Sequence, residues 1–341
     1  MKDVIVFPPE WYPQSGIQIC WPHSDTDWRS ILDEVTRCYV SFSREILKQE
    51  KLLVICHDLN EVDQHFTSEE KRNLILVKIE SNDTWTRDHG AISIFHDGNP
   101  VILDFGFNGW GLKFPANKDN LITSELYEQN IYNTNVLKKN CLDFILEGGS
   151  IESDGKGTIL TTSKCLLAPN RNQPLEKENI EEYLKNVLGA KKILWLNHGY
   201  LSGDDTDSHI DTLARFCNEN TIAYVKCDDI NDEHYPDLKM MEYELKSFTN
   251  HKGQPYNLVD LPMADAMYGD GGRLPATYAN FLILNKSVLV PEYGSSKDEI
   301  AKMKLEIAFP DREIVGVDCR PLIKQFGSLH CVTMQFPEGF L

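Results

Sequence analysis

Four short segments of this chain hold residue types suited to covalent chemistry on a cation. Cys331 lies in Phe326-Gly327-Ser328-Leu329-His330-Cys331-Val332-Thr333. Far upstream lie Trp85-Thr86-Arg87-Asp88-His89-Gly90, Leu146-Glu147-Gly148-Gly149-Ser150 and Asp207-Ser208-His209-Ile210-Asp211. Together they supply a thiol, a histidine and three carboxylates. A thiol attacks as the thiolate and needs a base or a favourable field to reach that state. Carboxylates grip a cation through paired, charge-assisted hydrogen bonds. A guanidinium is the cation that best fits these parts.

Spacing sharpens the assignment. If His209-Ile210-Asp211 is extended, His209 and Asp211 share one face and Ile210 packs behind them. The same rule turns His330 away from Cys331, so a distant histidine must serve the thiol, and His209 is the candidate. Glu147 closes the apolar run Phe144-Ile145-Leu146 before two glycines, where a strand meets an open turn. Each segment also has a plainer reading on its own: a buried apolar cysteine, a capping histidine, a solvated turn acid, a surface ion pair. Phe105-Gly106-Phe107-Asn108-Gly109-Trp110-Gly111 could wall a flat or aliphatic ligand or pack as an Ω-loop. Gly269-Asp270-Gly271-Gly272-Arg273 reads as a simple turn.

The elements that must position these residues are those of one compact domain spanning 1–341, with no low-complexity linker. Apolar residues at Ile31, Val35, Cys38, Tyr39, Phe42 and Ile46 predict a helix over about 24–49. Further helices are expected over 176–188 and 297–309. Strands are expected at 52–56, 74–79, 91–95, 100–105, 157–162, 192–196, 223–227, 280–284, 287–291 and 313–318. Asn285-Lys286 would turn the 280–284 and 287–291 pair into a hairpin. Strands alternating with a few helices make the class α/β or α+β. No Gly-x-Gly-x-x-Gly follows a strand and no Walker-type loop is present, so no nucleotide cofactor is expected.

Composition excludes some partners. The formal charge of −18 argues against nucleic acid or an anionic membrane surface and suits a cationic substrate. No apolar run approaches the ~20 residues that span a bilayer. The nine cysteines include no Cys-x-x-Cys pair. They read as reduced thiols of a cytoplasmic protein, neither a disulfide framework nor a zinc ribbon. The first twenty residues lack a basic start and apolar run, so no signal peptide is expected. A homodimer is left open.

In their order and spacing the motifs resemble the guanidino-group-modifying (pentein) superfamily, and within it the agmatine deiminase and bacterial-type peptidylarginine deiminase family. The resemblance runs from Pro9-Glu10-Trp11, Gly16 and Trp21-Pro22 through Trp85-x-Arg87-Asp88-x-Gly90, Asn108-Gly109-Trp110-Gly111 and Leu146-Glu147-Gly148-Gly149-Ser150. It continues through Asp205-Thr206, His209-Ile210-Asp211, Arg215-Phe216 and Leu274-Pro275-Ala276-x-Tyr278-Ala279-Asn280-Phe281 to Leu329-His330-Cys331. It implies an α/β propeller of five pseudo-symmetric ββαβ repeats around a central active site; no internal repeat is legible in the sequence. It implies that Asp88 and Asp211 clasp the guanidinium and that Cys331 attacks its central carbon. His209 would then act as acid and base, and Glu147 would hold the His209 ring. Trp85, Trp110 and Gly111 would contact substrate. No metal or organic cofactor is implied.

Two positions depart from the family pattern. Ser208 stands where a glycine usually precedes His-x-Asp, and Phe326-Gly327-Ser328 replaces a longer glycine run. Free arginine would need a cationic partner for its carboxylate, and none stands out near the motifs. Agmatine is therefore the favoured substrate, with a peptidylarginine or another guanidino compound as the alternative. A metal-dependent hydrolase built on Asp88, His89, Glu147, His209 and Asp211 lacks His-x-x-x-His or paired-cysteine spacing. A non-catalytic guanidinium or polyamine binder would need the acids but no nucleophile.

Overall fold

The computed structural model describes residues 4–341. Helix Leu32–Leu47 forms because Val35, Cys38, Tyr39, Phe42 and Ile46 share its buried face. The expected start at 24 is corrected. Thr26 caps a separate 3₁₀ turn, Asp27–Ile31, and Ile31 leaves helical geometry before the α-helix begins. In Lys177–Leu188 the Glu176 and Asn179 side chains form a capping box, and Gly189 ends the helix with φ +68°.

Most of the expected strands are present, and the hairpin at Asn285-Lys286 pairs Leu282 with Leu289 and Ile283 with Val288. The 280–284 segment contributes only Leu282–Ile283 to that pairing. The central strand Gln14–Cys20 was not expected. Its buried Gln18 breaks the apolar alternation, and Gly16 is needed because a Cβ there would lie 2.6 Å from the Lys51 carbonyl oxygen.

Pairing reveals an order that the residues hide. Ile92–His96 runs antiparallel to Asn99–Gly106, which pairs in parallel with Leu137–Ile145 after helix Ile122–Glu128. Ile151–Ser153, Thr158–Thr162, helix Lys177–Leu188 and Lys192–Leu196 repeat that plan. So do Ala214–Asn218, Thr221–Lys226, helix Tyr235–Ser247 and Asn257–Pro262. Leu282–Ile283, Ser287–Glu292, helix Asp298–Ala308 and Glu313–Asp318 form a fourth unit.

The fifth is split across the chain. Met334–Pro337 pairs antiparallel with Gln14–Cys20, which is parallel to Lys51–Cys56 after helix Leu32–Leu47. Lys51–Cys56 in turn pairs in parallel with Leu74–Lys78. The parallel pairs need a crossover helix, which packs apolar residues on its sheet. The fold is mixed α/β, and its five main sheets hold three or four strands each.

Candidate active site

The chemistry-bearing residues sit in the connections between successive sheets. Trp85 and Asp88 lie between Leu74–Lys78 and Ile92–His96, and Glu147 and Gly149 between Leu137–Ile145 and Ile151–Ser153. His209 and Asp211 lie between Lys192–Leu196 and Ala214–Asn218, and Asn280 before Leu282–Ile283. Cys331 lies between Glu313–Asp318 and Met334–Pro337. Loops held by rigid strands are where function concentrates.

Local conformation differs from expectation at two of them. His209-Ile210-Asp211 is not extended: His209 has φ −54° and ψ 141°, and Ile210–Thr212 is a 3₁₀ turn. His209 and Asp211 therefore converge through the turn and not through strand alternation. Cys331 lies in a turn ahead of the last strand. Its carbonyl accepts from Arg87 N at 3.0 Å, and its thiol donates to Asn280 Oδ1 at 3.4 Å. Asn280 Oδ1 also accepts from His330 N at 2.9 Å. The sequence pattern alone assigns Asn280 no role.

Asp88 is buried, and both its oxygens have partners. Oδ1 accepts from Gly149 N at 3.0 Å and lies 3.5 Å from His209 Nδ1; Oδ2 accepts from Trp110 Nε1 at 2.9 Å. Trp110 adopts φ 54°, a left-handed conformation costly for a bulky residue. That bond and edge contacts to Phe107 and Phe114 hold it there. Gly111 lies behind Trp110 beside the Pro169 carbonyl and is not part of the cavity wall.

Gly149 marks where the groups meet. A Cβ there would lie 2.6 Å from His209 Nδ1, 2.7 Å from Asp88 Oδ1 and 3.2 Å from Asp211 Oδ2. Gly149→Ala is expected to lower kcat/KM by about 100-fold, because displacements of this size disrupt alignment. Steady-state kinetics beside a thermal melt would check it; unchanged kinetics would mean the three groups need not stay in place.

Glu147 does not hydrogen-bond the His209 ring. Both its oxygens accept from Arg171 Nε, at 2.9 and 3.1 Å, while Arg171 Nη1 reaches Asp207 Oδ2 at 2.6 Å. One Glu147 oxygen, Cys165 Sγ and a His209 ring nitrogen lie within 4.8 Å of one another. Glu147 thus stands near the ring without bonding to it, where its charge favours a protonated imidazole. Burial alone would lower the His209 pKa; Asp88 first, then Cys165 and Glu147, raise it well above its ordinary value. Burial pushes Asp88 up to about 6, opposed by His209 and reinforced by Asp211. Burial, with Asp211 and Asp88 nearby, drives the Cys331 thiol far up. His89 belongs elsewhere, with Nε2 3.8 Å from Cys20 Sγ, so the set considered for a metal hydrolase is divided.

Cys331, His209, Asp88, Trp85 and Trp110 line one cavity of about 140 Å³. Asp211 and Glu147 are not among its lining residues, but Asp211 Oδ2 converges with Asp88 Oδ1 and His209 Nδ1, which belong to the lining, at Gly149. The cavity's remaining acids, Asp27, Asp83, Asp204 and Asp205, were not singled out for substrate contact by sequence reasoning. Burial raises Asp83 to about 6, and burial with Asp204 close by does the same for Asp205. Crowded carboxylates of this kind are relieved by a cation. Phe326, at φ +65°, lines the same cavity and also a larger neighbouring cleft. Arg171 is not legible in the sequence for a physical reason. A buried arginine must meet a carboxylate, but nothing local in Pro169-Asn170-Arg171-Asn172 says which one.

The fold thus brings a thiol, an imidazole and carboxylates together at one cavity. The sequence profile of the Porphyromonas-type peptidyl-arginine deiminase family matches residues 6–337, and the chain belongs to that family. A crystal structure from Porphyromonas gingivalis described as a "Putative Arginine Deiminase" is similar at 53% identity and TM-score 0.96, covering 99% of this chain and 100% of the other. The C. jejuni agmatine deiminase with substrate bound is 40% identical with TM-score 0.92, covering 99% and 98%. A Shewanella sp. (strain W3-18-1) protein named "Putative agmatine deiminase" is 31% identical over 375 residues, 99% of this chain and 95% of its own length. The chain is an enzyme, a hydrolase acting on C–N bonds. No helix among the described residues is long and apolar enough to cross a membrane.

Proposed function

We propose that this enzyme deiminates agmatine, converting it with water to N-carbamoylputrescine and ammonia. One observation carries the choice: among the described residues the cavity wall holds five carboxylates, at Asp27, Asp83, Asp88, Asp204 and Asp205, and no lysine or arginine. Such a wall suits a substrate cationic at both ends and repels the carboxylate of free arginine. The whole 341-residue chain works as one catalytic unit, its five sheets set like propeller blades around the cavity.

Asp88 and Asp211 take the guanidinium N–H groups. Burial, with Asp211 and Asp88 close by, keeps Cys331 protonated; the arriving cation offsets those two charges, the thiol proton passes to solvent, and the thiolate attacks the central carbon, forming a C–S bond as the C=N π bond opens. His209 gives a proton to the departing nitrogen, and ammonia leaves a thiouronium. His209 then takes a proton from water, whose oxygen attacks the same carbon; the C–S bond breaks and Cys331 regains its proton. No electrons change hands, and water supplies the oxygen. Glu147, braced by Arg171, favours the charged imidazole. Trp85 and Trp110 wall the aliphatic chain.

The test is ureido formation with agmatine, free arginine and a blocked arginine peptide side by side. Turnover of agmatine alone supports the proposal; turnover of the peptide alone moves the function to protein modification. Phe326→Gly is expected to raise KM for agmatine about tenfold by removing a ring from the wall. An unchanged KM would place Phe326 outside substrate contact.

A further inference from the structure

We propose that His330 is a positioning residue that holds Asp211 for the substrate, a role that rests on the deiminase reading above. Its ring lies between two buried carboxylates. Nδ1 is 2.7 Å from Asp211 Oδ2, and Nε2 is 2.7 Å from Glu10 Oε2. An imidazolium, with a donor on each nitrogen, suits that bridge. Glu10 is itself fixed: Oε1 accepts from Ile283 N at 2.8 Å, and Oε2 meets Arg215 Nη2. Arg215, fully buried, is bonded on its other side to Glu152 and donates to the Phe281 carbonyl at 2.7 Å. The row Asp211, His330, Glu10, Arg215, Glu152 alternates acidic and basic side chains and is buried throughout.

The substrate end of that row is left open. Asp211 Oδ1 is buried and has no hydrogen-bond partner among the described residues, while Oδ2 is taken by His330. A buried carboxylate oxygen without a donor is expensive. His330 thus fixes the carboxyl plane and leaves one oxygen for an incoming N–H donor. The same residue steadies the nucleophile's turn, since its carbonyl accepts from Thr333 N at 3.1 Å and its N–H donates to Asn280. One side chain therefore ties the clasp to the loop carrying Cys331. This also gives Pro9-Glu10-Trp11 a purpose, although Glu10 lies 320 residues from His330.

The experiment is a double-mutant cycle on agmatine turnover with His330→Gln and Asp211→Asn, with Glu10→Gln as a milder probe of the same row. His330→Gln is expected to lower kcat/KM about 100-fold, mainly through KM. Adding it to Asp211→Asn should cost less than about twofold more, because no carboxylate remains to hold. Losses that simply multiply would overturn the proposal. Glu10→Gln should move KM in the same direction while the protein stays folded; wild-type kinetics there would also overturn it. Ring signals of ¹⁵N-labelled histidine decide the matter without turnover: Asp211→Asn should shift the His330 ring resonances, and unmoved resonances would refute the link. A wild-type enzyme silent on all three guanidino compounds overturns the functional reading instead, and the ring signals then decide the link alone.

Discussion

Cys331→Ala is expected to reduce ureido formation to background, a loss on the order of 10⁴-fold or more, because the covalent intermediate we propose is built on this sulfur. The nearest other thiol named at the site, Cys165, lies beside His209 and Glu147, outside the cavity wall. Stability should change by only about 1 kcal/mol, since the substitution removes a single sulfur from a pocket wall. The turn itself is held by the Cys331 carbonyl and by Asn280, and both partners survive. Mass spectrometry adds a second check. With the thiol pushed far up by burial, Asp211 and Asp88, alkylation of Cys331 should be slow at neutral pH and quicken as pH rises. Undiminished turnover by the alanine variant would remove Cys331 from the reaction.

Asp88→Asn should cost about 10²–10⁴-fold in kcat/KM, for three reasons that act together. It removes half of the charge proposed to grip the guanidinium. It places an amide where both carboxylate oxygens accept, so its NH₂ must face either Gly149 N or Trp110 Nε1. It also removes the strongest influence that raises the His209 pKa. The pH profile separates these effects from misfolding. Below about 6, Asp88 takes up a proton and loses its charge, so wild-type kcat/KM should fall as pH drops through that value. At high pH it should fall again as His209, whose proton ammonia needs, is deprotonated. The variant should lose the acid limb near 6. A wild-type profile flat from pH 5 to 8 would disconnect Asp88 from the chemistry.

Local pattern made much of this legible. Helix Leu32–Leu47 follows from apolar spacing, and the Asn285-Lys286 hairpin from two short apolar runs. Cys331, His209 and Asp88 were recognised as a set through ordered motifs, and the structure places all three on one cavity. What stayed hidden depends on contacts between distant residues. The five-unit order is a pattern of pairing, and its strands vary from two to nine residues, so no residue repeat records it. The strand rule turned His330 away from Cys331, but that stretch is a turn, and the ring meets Asp211 instead. Glu147 was expected to hold the His209 ring, yet Arg171, invisible to any local rule, takes its oxygens.

The split fifth sheet sets a timetable for synthesis. Gln14–Cys20 is made early, while its antiparallel neighbour Met334–Pro337 follows more than 300 residues later. Until that neighbour arrives, the early strand keeps an open edge along Gln14–Cys20, of the kind that recruits other chains. The turn bearing Cys331 immediately precedes the closing strand. A chain that has made Gln14–Cys20 must therefore extend by more than 300 further residues before Cys331 can join Asp88 and His209, and until then it carries the open edge without the assembled cavity.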